Sequence, residues 1–154
     1  MKIKRDNDII RAVGWVATQS SQLEVEIEEI ANFLAGVFDR IDNDPNSNVG
    51  RKLEWIKSVV REIDSNELKD FSDALQRASE LLDQRNKLIH GQIYFDELQP
   101  SKMQLRPNSN DQKPSRVTPE KVYNLAESLW TLQLDIFSKH AMTLLGVIKD
   151  RTNA

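Results

Sequence analysis

The sequence predicts an all-α fold, a four-to-five-helix up-and-down bundle with a small β-hairpin inserted before the last helix. Apolar residues recur with the helical period in four long segments. The 154 residues include only 5 glycines and 5 prolines, too few for an all-β or disordered chain. Residues 91–117 lack the helical period and contain two short strand-like runs. We therefore interpret residues 1–154 as a single helical domain carrying this segment as an insertion.

The first helix is predicted from a stripe of positions that follow one another at alternating steps of three and four. Nine of the ten positions are apolar, Ser20 is the exception, and Glu24 lies at the margin of the stripe. The stripe consists of Ile9, Val13, Val16, Ser20, Leu23, Ile27, Ile30, Leu34, Val37 and Ile41. Some thirty residues at a rise of 1.5 Å give a helix about 50 Å long. Residues 42–48, rich in Asn, Asp and Ser, are predicted to form the following loop.

Local signals set the bounds of the next two helices. The second is expected from about Gly50 to Ile63. The segment Asp64-Ser65-Asn66-Glu67, a capping residue with a glutamate three positions on, is typical of a helix start. The third then carries a buried face, and we expect Gly91 to end it in the left-handed conformation. The predicted buried face of the third helix comprises Leu68, Phe71, Leu75, Ala78 and Leu82.

The insertion and the fourth helix complete the chain. Residues 93–95 and 103–105 are predicted to pair as a hairpin, whereas residues 107–116 are polar and expected to be mobile. The fourth helix opens at Thr118, a capping hydroxyl, with Pro119 at its first position. Its long apolar face comprises Val122, Leu125, Leu129, Leu132, Ile136, Leu144 and Val147.

Composition excludes several classes of protein. Without cysteine the chain forms no disulfide scaffold, zinc–thiolate site or thiol nucleophile, and its 2 histidines are too few for a multi-histidine metal centre. A net charge of -3 is unlike that of proteins that coat nucleic acid. No apolar run reaches the length needed to span a bilayer or to form a signal-peptide core. We expect a soluble, cytoplasmic protein that uses no metal or other cofactor.

The apolar stripe of the third helix breaks near its end. Where the pattern requires apolar residues, the sequence has Arg85 and Asn86, with His90 four residues after the asparagine. An arginine on an inward face needs a partner or an anion to offset its lost hydration. Asn86 and His90 share a face, whereas Arg85 and His90 are about 140° apart on a regular helix. In the last turn, the helix dipole favours a positively charged His90.

The segment Arg85-Asn86-Lys87-Leu88-Ile89-His90-Gly91 resembles the R-N-x-x-x-H motif of the HEPN superfamily, small all-α proteins that include metal-independent RNases of toxin and antiviral systems. The helix order is also similar, as is the first-helix sequence around Ser20 and Glu24. The resemblance implies that Arg85 and His90 are the catalytic pair, that Asn86 supports them, and that the protein is a homodimer. Some toxin members have a tyrosine where this chain has Gln92.

The resemblance also implies a reaction, attack of an RNA 2′-hydroxyl on its own phosphate. His90 would move the proton and Arg85 would stabilise the charge at phosphorus. We take Glu24 as a candidate counterion for Arg85. Residues 99–121 contain five bases and two acids, whereas residues 20–44 contain seven acids and one base. The insertion is therefore expected to guide RNA to the site, and the predicted RNA-binding residues are Lys87, Lys102 and Arg106.

Two classes of function remain open. One is a metal-independent endoribonuclease of a toxin–antitoxin or phage-defence system, with RNA as substrate and an antitoxin protein as a further partner. The other is a non-catalytic HEPN-like module that dimerises and binds RNA, a nucleotide or a protein. In the second class the Arg85–Asn86–His90 group stiffens a dimer interface and does no chemistry.

Overall fold

The computed structural model describes residues 3–38, 47–95, 98, 102–108 and 113–154. Of these residues 77% are helical, which confirms the mainly helical class. The elements are α1 (Ile9–Phe38), α2 (Val49–Ile63), α3 (Lys69–His90), β1 (Gln92–Phe95), β2 (Met103–Arg106), β3 (Ser115–Val117), α4 (Pro119–Asp135) and α5 (Ala141–Thr152). Ile41 and most of the predicted loop 42–48 lie outside the described residues. In the described part, every helix is too short or too polar to cross a bilayer.

Contacts between Cα atoms divide the chain into two compact units. The first comprises Met1–Ser20 and Glu80–Trp130, and the second comprises Ser21–Ser79 and Thr131–Ala154. Helices α1, α3 and α4 contribute residues to both units. The single-domain organisation stays a prediction.

The first unit contains a three-stranded antiparallel sheet in the order β1-β2-β3. The predicted hairpin is confirmed, with Tyr94 opposite Gln104 in the register. The expectation of a mobile segment over residues 107–116 is wrong at its end, because residues 115–117 form β3 and Val117 is buried. A three-residue strand carries too little alternation to be recognised in the sequence. The sheet precedes α4 and α5, not the last helix alone.

Helix α3 ends at His90 as predicted, but Gly91 has a different role from the one expected. Among the described residues no glycine has a positive φ, so Gly91 is not a left-handed terminator. A Cβ atom at this position would lie 2.4 Å from the carbonyl oxygen of Lys87 and 2.8 Å from that of Arg106. Glycine is therefore required because the β2 backbone passes close to the end of α3.

Polar contacts join the segment before α1 to α4 within the first unit. The Tyr123 hydroxyl donates to Oδ1 of Asp6 at 2.7 Å, and Asp6 also pairs with Arg11. Nε of Arg5 donates to Oε1 of Glu127 at 3.2 Å. The hydrogen bond from Tyr123 lowers the pKa of Asp6, and burial raises the pKa of Tyr123. These long-range bonds fix the start of α1 against α4.

In the second unit, α2 and the start of α3 follow the sequence signals. The Asn48 side chain caps α2 by accepting from the backbone N–H of Arg51 at 3.0 Å. Asp64 closes α2 in the left-handed conformation, with φ 49°. Ser65 caps a short 3-10 turn, Asn66–Leu68, that leads into α3, so the cap lies one residue after the expected Asp64. The predicted inward residues of α2, namely Leu53, Ile56, Val60 and Ile63, are buried.

The predicted long fourth helix is interrupted. A π-helical turn, Ile136–His140, separates α4 from α5. The His140 ring stacks on Phe71 with 5.8 Å between ring centroids and 19° between ring planes. Extra residues in a turn shift the phase of the helix, and periodicity alone does not reveal such an insertion.

Candidate active site at the end of helix α3

The end of α3 presents a half-buried arginine beside an exposed face. In this part of the helix Leu82 and Leu88 are buried, and Arg85 lies between them in sequence. Ile89, which the periodicity places inward, is 37% exposed. The packed side of α3 therefore runs through Leu88, one residue earlier than the sequence pattern indicates.

The Arg85 side chain is held by its neighbour Asn86. Nη1 of Arg85 donates to Oδ1 of Asn86 at 2.9 Å, and Nε is inaccessible to solvent. Burial lowers the pKa of Arg85 below its ordinary value, although a guanidinium keeps its charge throughout the neutral range. The arrangement thus fixes a cation of defined orientation at the end of the helix.

His90 is the last residue of α3 and is exposed. Five residues separate it from Arg85, so the two side chains leave the helix axis about 140° apart. Asn86 lies one turn before His90 on the same exposed side, and its carbonyl oxygen accepts from Arg85. The structure therefore brings Asn86 to Arg85, while His90 stands on the solvent side of the helix end.

The predicted RNA-binding residues lie on the same unit as this helix end. Lys87 is half-buried and pairs with Asp83 at 2.7 Å on the preceding turn. Lys102 directly precedes β2 and is half-buried. Arg106, at the end of β2, places its guanidinium carbon 5.3 Å from the centre of the Tyr94 ring. One unit therefore contains Arg85, Asn86, His90 and all three predicted RNA-binding cations.

Glu24, the candidate counterion, is half-buried on α1. It belongs to the unit Ser21–Ser79 with Thr131–Ala154, whereas Arg85 belongs to the other unit. The pairing of Glu24 with Arg85 stays a prediction.

Tyr94 is a functional candidate that the sequence reasoning did not select. It lies two residues after Gln92, the position at which some toxin members have a tyrosine. The alternation of side chains along a strand is the sequence signal that could have identified Tyr94. It places Gln104 and Arg106 on one face of β2, and antiparallel pairing brings Tyr94 to the same face.

Among the described residues, no group of three or more His, Asp or Glu side chains is arranged to hold a metal ion. Comparison of the chain with protein-family models, curated proteins and solved structures gives no match.

Proposed function

We propose that the protein is a cytoplasmic, metal-independent endoribonuclease with a HEPN-like helical bundle, of the toxin–antitoxin or phage-defence type. The observation that carries the proposal is the environment of Arg85. It is a half-buried arginine, oriented by the Asn86 amide, one and a half helical turns before an exposed histidine at a helix end. A fixed cation and a group that can transfer protons, both on one helix end, are the two elements that metal-independent phosphodiester cleavage needs.

In this mechanism the RNA 2′-hydroxyl attacks the adjacent phosphorus atom. His90 takes the proton from the 2′-oxygen, the bond from phosphorus to the 5′-oxygen breaks, and the products are a 2′,3′-cyclic phosphate and a 5′-hydroxyl. Arg85 contacts the non-bridging oxygens and stabilises their developing charge. Asn86 holds the guanidinium in place.

A single histidine does not act as base and acid within one turnover, because the leaving 5′-oxygen needs a proton while His90 is accepting another. The exposed position of His90 allows a second copy of the chain to supply the missing group. We therefore propose a homodimer in which two α3 ends face one RNA strand, and an antitoxin protein that blocks this surface.

The test is cleavage of a single-stranded RNA in the presence of EDTA. His90→Ala is expected to lower the rate about 10²–10⁴-fold, the usual contribution of a positioned proton-transfer group. Arg85→Ala is expected to lower it by a similar factor, and Arg85→Lys only partly restores it because lysine lacks the forked donors. A 2′-deoxy nucleotide at the cleaved position is expected to block the reaction.

Matched controls are Arg77→Ala, exposed on the same helix, and His140→Ala, which removes the other histidine of the chain. Both are expected to leave the cleavage rate unchanged, with folding of every variant checked by circular dichroism. A wild-type protein that folds but cuts no RNA, or a His90→Ala variant with full activity, would contradict the proposal.

One observation favours the alternative, a non-catalytic HEPN-like module that dimerises and binds RNA, a nucleotide or a protein. Part of the Arg85 guanidinium is already used by Asn86, and its Nε is hidden from solvent, as in a structural polar network. In that case Arg85→Ala destabilises the protein while the wild type shows no nuclease activity.

A further inference from the structure

The two faces of the sheet differ in character. Alternation along each strand and the antiparallel register place Gln92, Tyr94, Gln104, Arg106 and Arg116 on one face. The opposite face carries Ile93, Phe95, Met103, Leu105 and Val117. Ile93, Phe95 and Met103 border a groove of about 380 Å³ whose other wall is the start of α1, and Tyr94 on the edge strand β1 also borders it. The groove is not lined by the other members of the polar face, namely Gln92, Gln104, Arg106 and Arg116.

The side chains of the polar face reach the surface, and two of them contact each other. The guanidinium carbon of Arg106 lies 5.3 Å from the Tyr94 ring centre, which shows that the two residues share this face. Arg106 and Arg116 are exposed, while Tyr94 and Gln104 are half-buried. The face thus offers an aromatic ring, two guanidinium groups and two amides to an incoming ligand.

The charge of this face is opposite to that of the whole chain. The 11 residues of the three strands include two arginines and no acid, although the chain has a net charge of -3. Lys102, directly before β2, continues the alternation of Gln104 and Arg106. Both arginines of the strands therefore lie on the polar face, and no acid of the strands opposes them, as expected for a localised contact with an anionic chain.

We propose that this face, which we call the sheet platform (Gln92, Tyr94, Gln104, Arg106 and Arg116), binds single-stranded RNA. Tyr94 and Arg106 stack on unpaired bases, and Arg116 contacts the phosphate backbone. The proposal rests on the proposed function and specifies its substrate class. A base inside a duplex cannot present its ring to Tyr94, so single strands are selected over duplexes. β1 begins two residues after His90, so a strand lying on the platform continues to the cleavage site.

The experiment measures binding of a fluorescent RNA oligonucleotide by fluorescence anisotropy, using the His90→Ala protein so that cleavage is slow relative to the measurement. In this background Tyr94→Ala is expected to weaken binding of the single strand about 5- to 100-fold, the usual range for loss of one base-stacking contact. Tyr94→Phe keeps the ring and is expected to retain affinity. Arg116→Ala is expected to lower the slope of log K against log salt by about 0.7.

Lys113→Ala is the matched control, because Lys113 is exposed in the same basic segment but lies outside the platform. It is expected to change the affinity less than about twofold. If Tyr94→Ala fails to fold, Arg116→Glu on the edge strand tests the same surface and is expected to weaken binding at least as much as Arg116→Ala. Unchanged affinity for single-stranded RNA in folded Tyr94→Ala or Arg116→Glu would overturn the platform. Equal affinity for a single strand and for a duplex of the same length would also overturn it.

Failure of the platform and failure of the nuclease proposal give different results. A wild-type protein that cuts RNA while Tyr94→Ala retains full affinity refutes the platform alone. A wild-type protein that cuts nothing, while Tyr94→Ala loses affinity for single strands, refutes the nuclease and supports the platform.

Discussion

At the scale of single residues, the fold buries polar side chains whose burial the sequence pattern does not indicate. Lys52 is 7% exposed and pairs with Glu28 at 3.0 Å, although its place in the first turn of α2 suggests a surface cation. Gln19 is 2% exposed. A lysine or glutamine is buried only where other segments surround it, so its sequence neighbours do not reveal the burial. Arg85 differs, because it interrupts an apolar stripe that is visible in the sequence.

The contact between Asp6 and Tyr123 predicts a pH-dependent stability. Because the pKa of Asp6 is lower in the folded protein than in the unfolded chain, its carboxylate stabilises the fold above the unfolded pKa of about 3.9. That contribution is lost as the pH falls through the folded value. The loss in unfolding free energy caused by Asp6→Asn is therefore expected to be larger at about pH 7 than at about pH 3. Urea denaturation at both pH values measures it.

Tyr123→Phe provides the control for this prediction. It removes the donor that lowers the pKa of Asp6, so Asp6→Asn in the Tyr123→Phe background is expected to show a weaker pH dependence. An Asp6→Asn effect of equal size at both pH values would mean that the carboxylate is not stabilised by the fold.

At the scale of elements, local chemistry sets the helix ends. Ser65 accepts from the backbone N–H of Glu67, and Thr118 accepts from that of Lys121 at the start of α4. The Thr118 cap is predicted from the sequence because the groups involved are three residues apart. The cap before α3 lies one residue after the predicted Asp64, which instead ends α2. Two elements escaped prediction. One is the π-helical turn Ile136–His140, and the other is β3, whose pairing partner β2 lies about ten residues earlier in the chain.

Gly91 provides a test of how α3 and β2 pack. Gly91→Ala is expected to destabilise the protein by about 1–3 kcal/mol, because the new methyl group meets two backbone carbonyls that a side-chain rotation cannot clear. Gly14→Ala is the matched control in the same unit, since nothing lies within 4 Å of a Cβ there and alanine favours a helix. It is expected to stabilise the protein by up to about 1 kcal/mol.

Thermal or urea denaturation of both glycine variants measures the two effects. A Gly91→Ala variant as stable as Gly14→Ala would show that β2 does not closely approach the end of α3.

At the scale of the whole molecule, the proposed chemistry requires a second copy of the chain. Since one His90 serves as base, we predict that the active species has twice the 17.7 kDa mass of the chain and that cleavage activity per subunit falls on dilution. Sedimentation velocity and cleavage assays over the same concentration series measure both. A monomer whose specific activity does not change on dilution would contradict the two-subunit site. The roles of Arg85 and His90 would then be tested separately by the activity of their variants.

The sequence by itself determined the helical class, the end of α3, the start of α4, and the anomalous Arg85 at the end of an apolar stripe. These features depend on neighbours within about one turn of helix or along one strand, so periodicity and capping residues specify them. The helix end at Gly91 and the hairpin before α4 were predictable for the same reason.

Only the tertiary structure decided that Asn86 holds Arg85, that Gly91 is needed for close approach, and that Tyr94 and Arg106 meet on one face of a three-stranded sheet. Which rotamer an arginine adopts, and which backbone passes over a glycine, depend on segments brought together by folding. The physical reason is that burial and hydrogen bonding are set by distance in space, whereas the sequence records only distance along the chain.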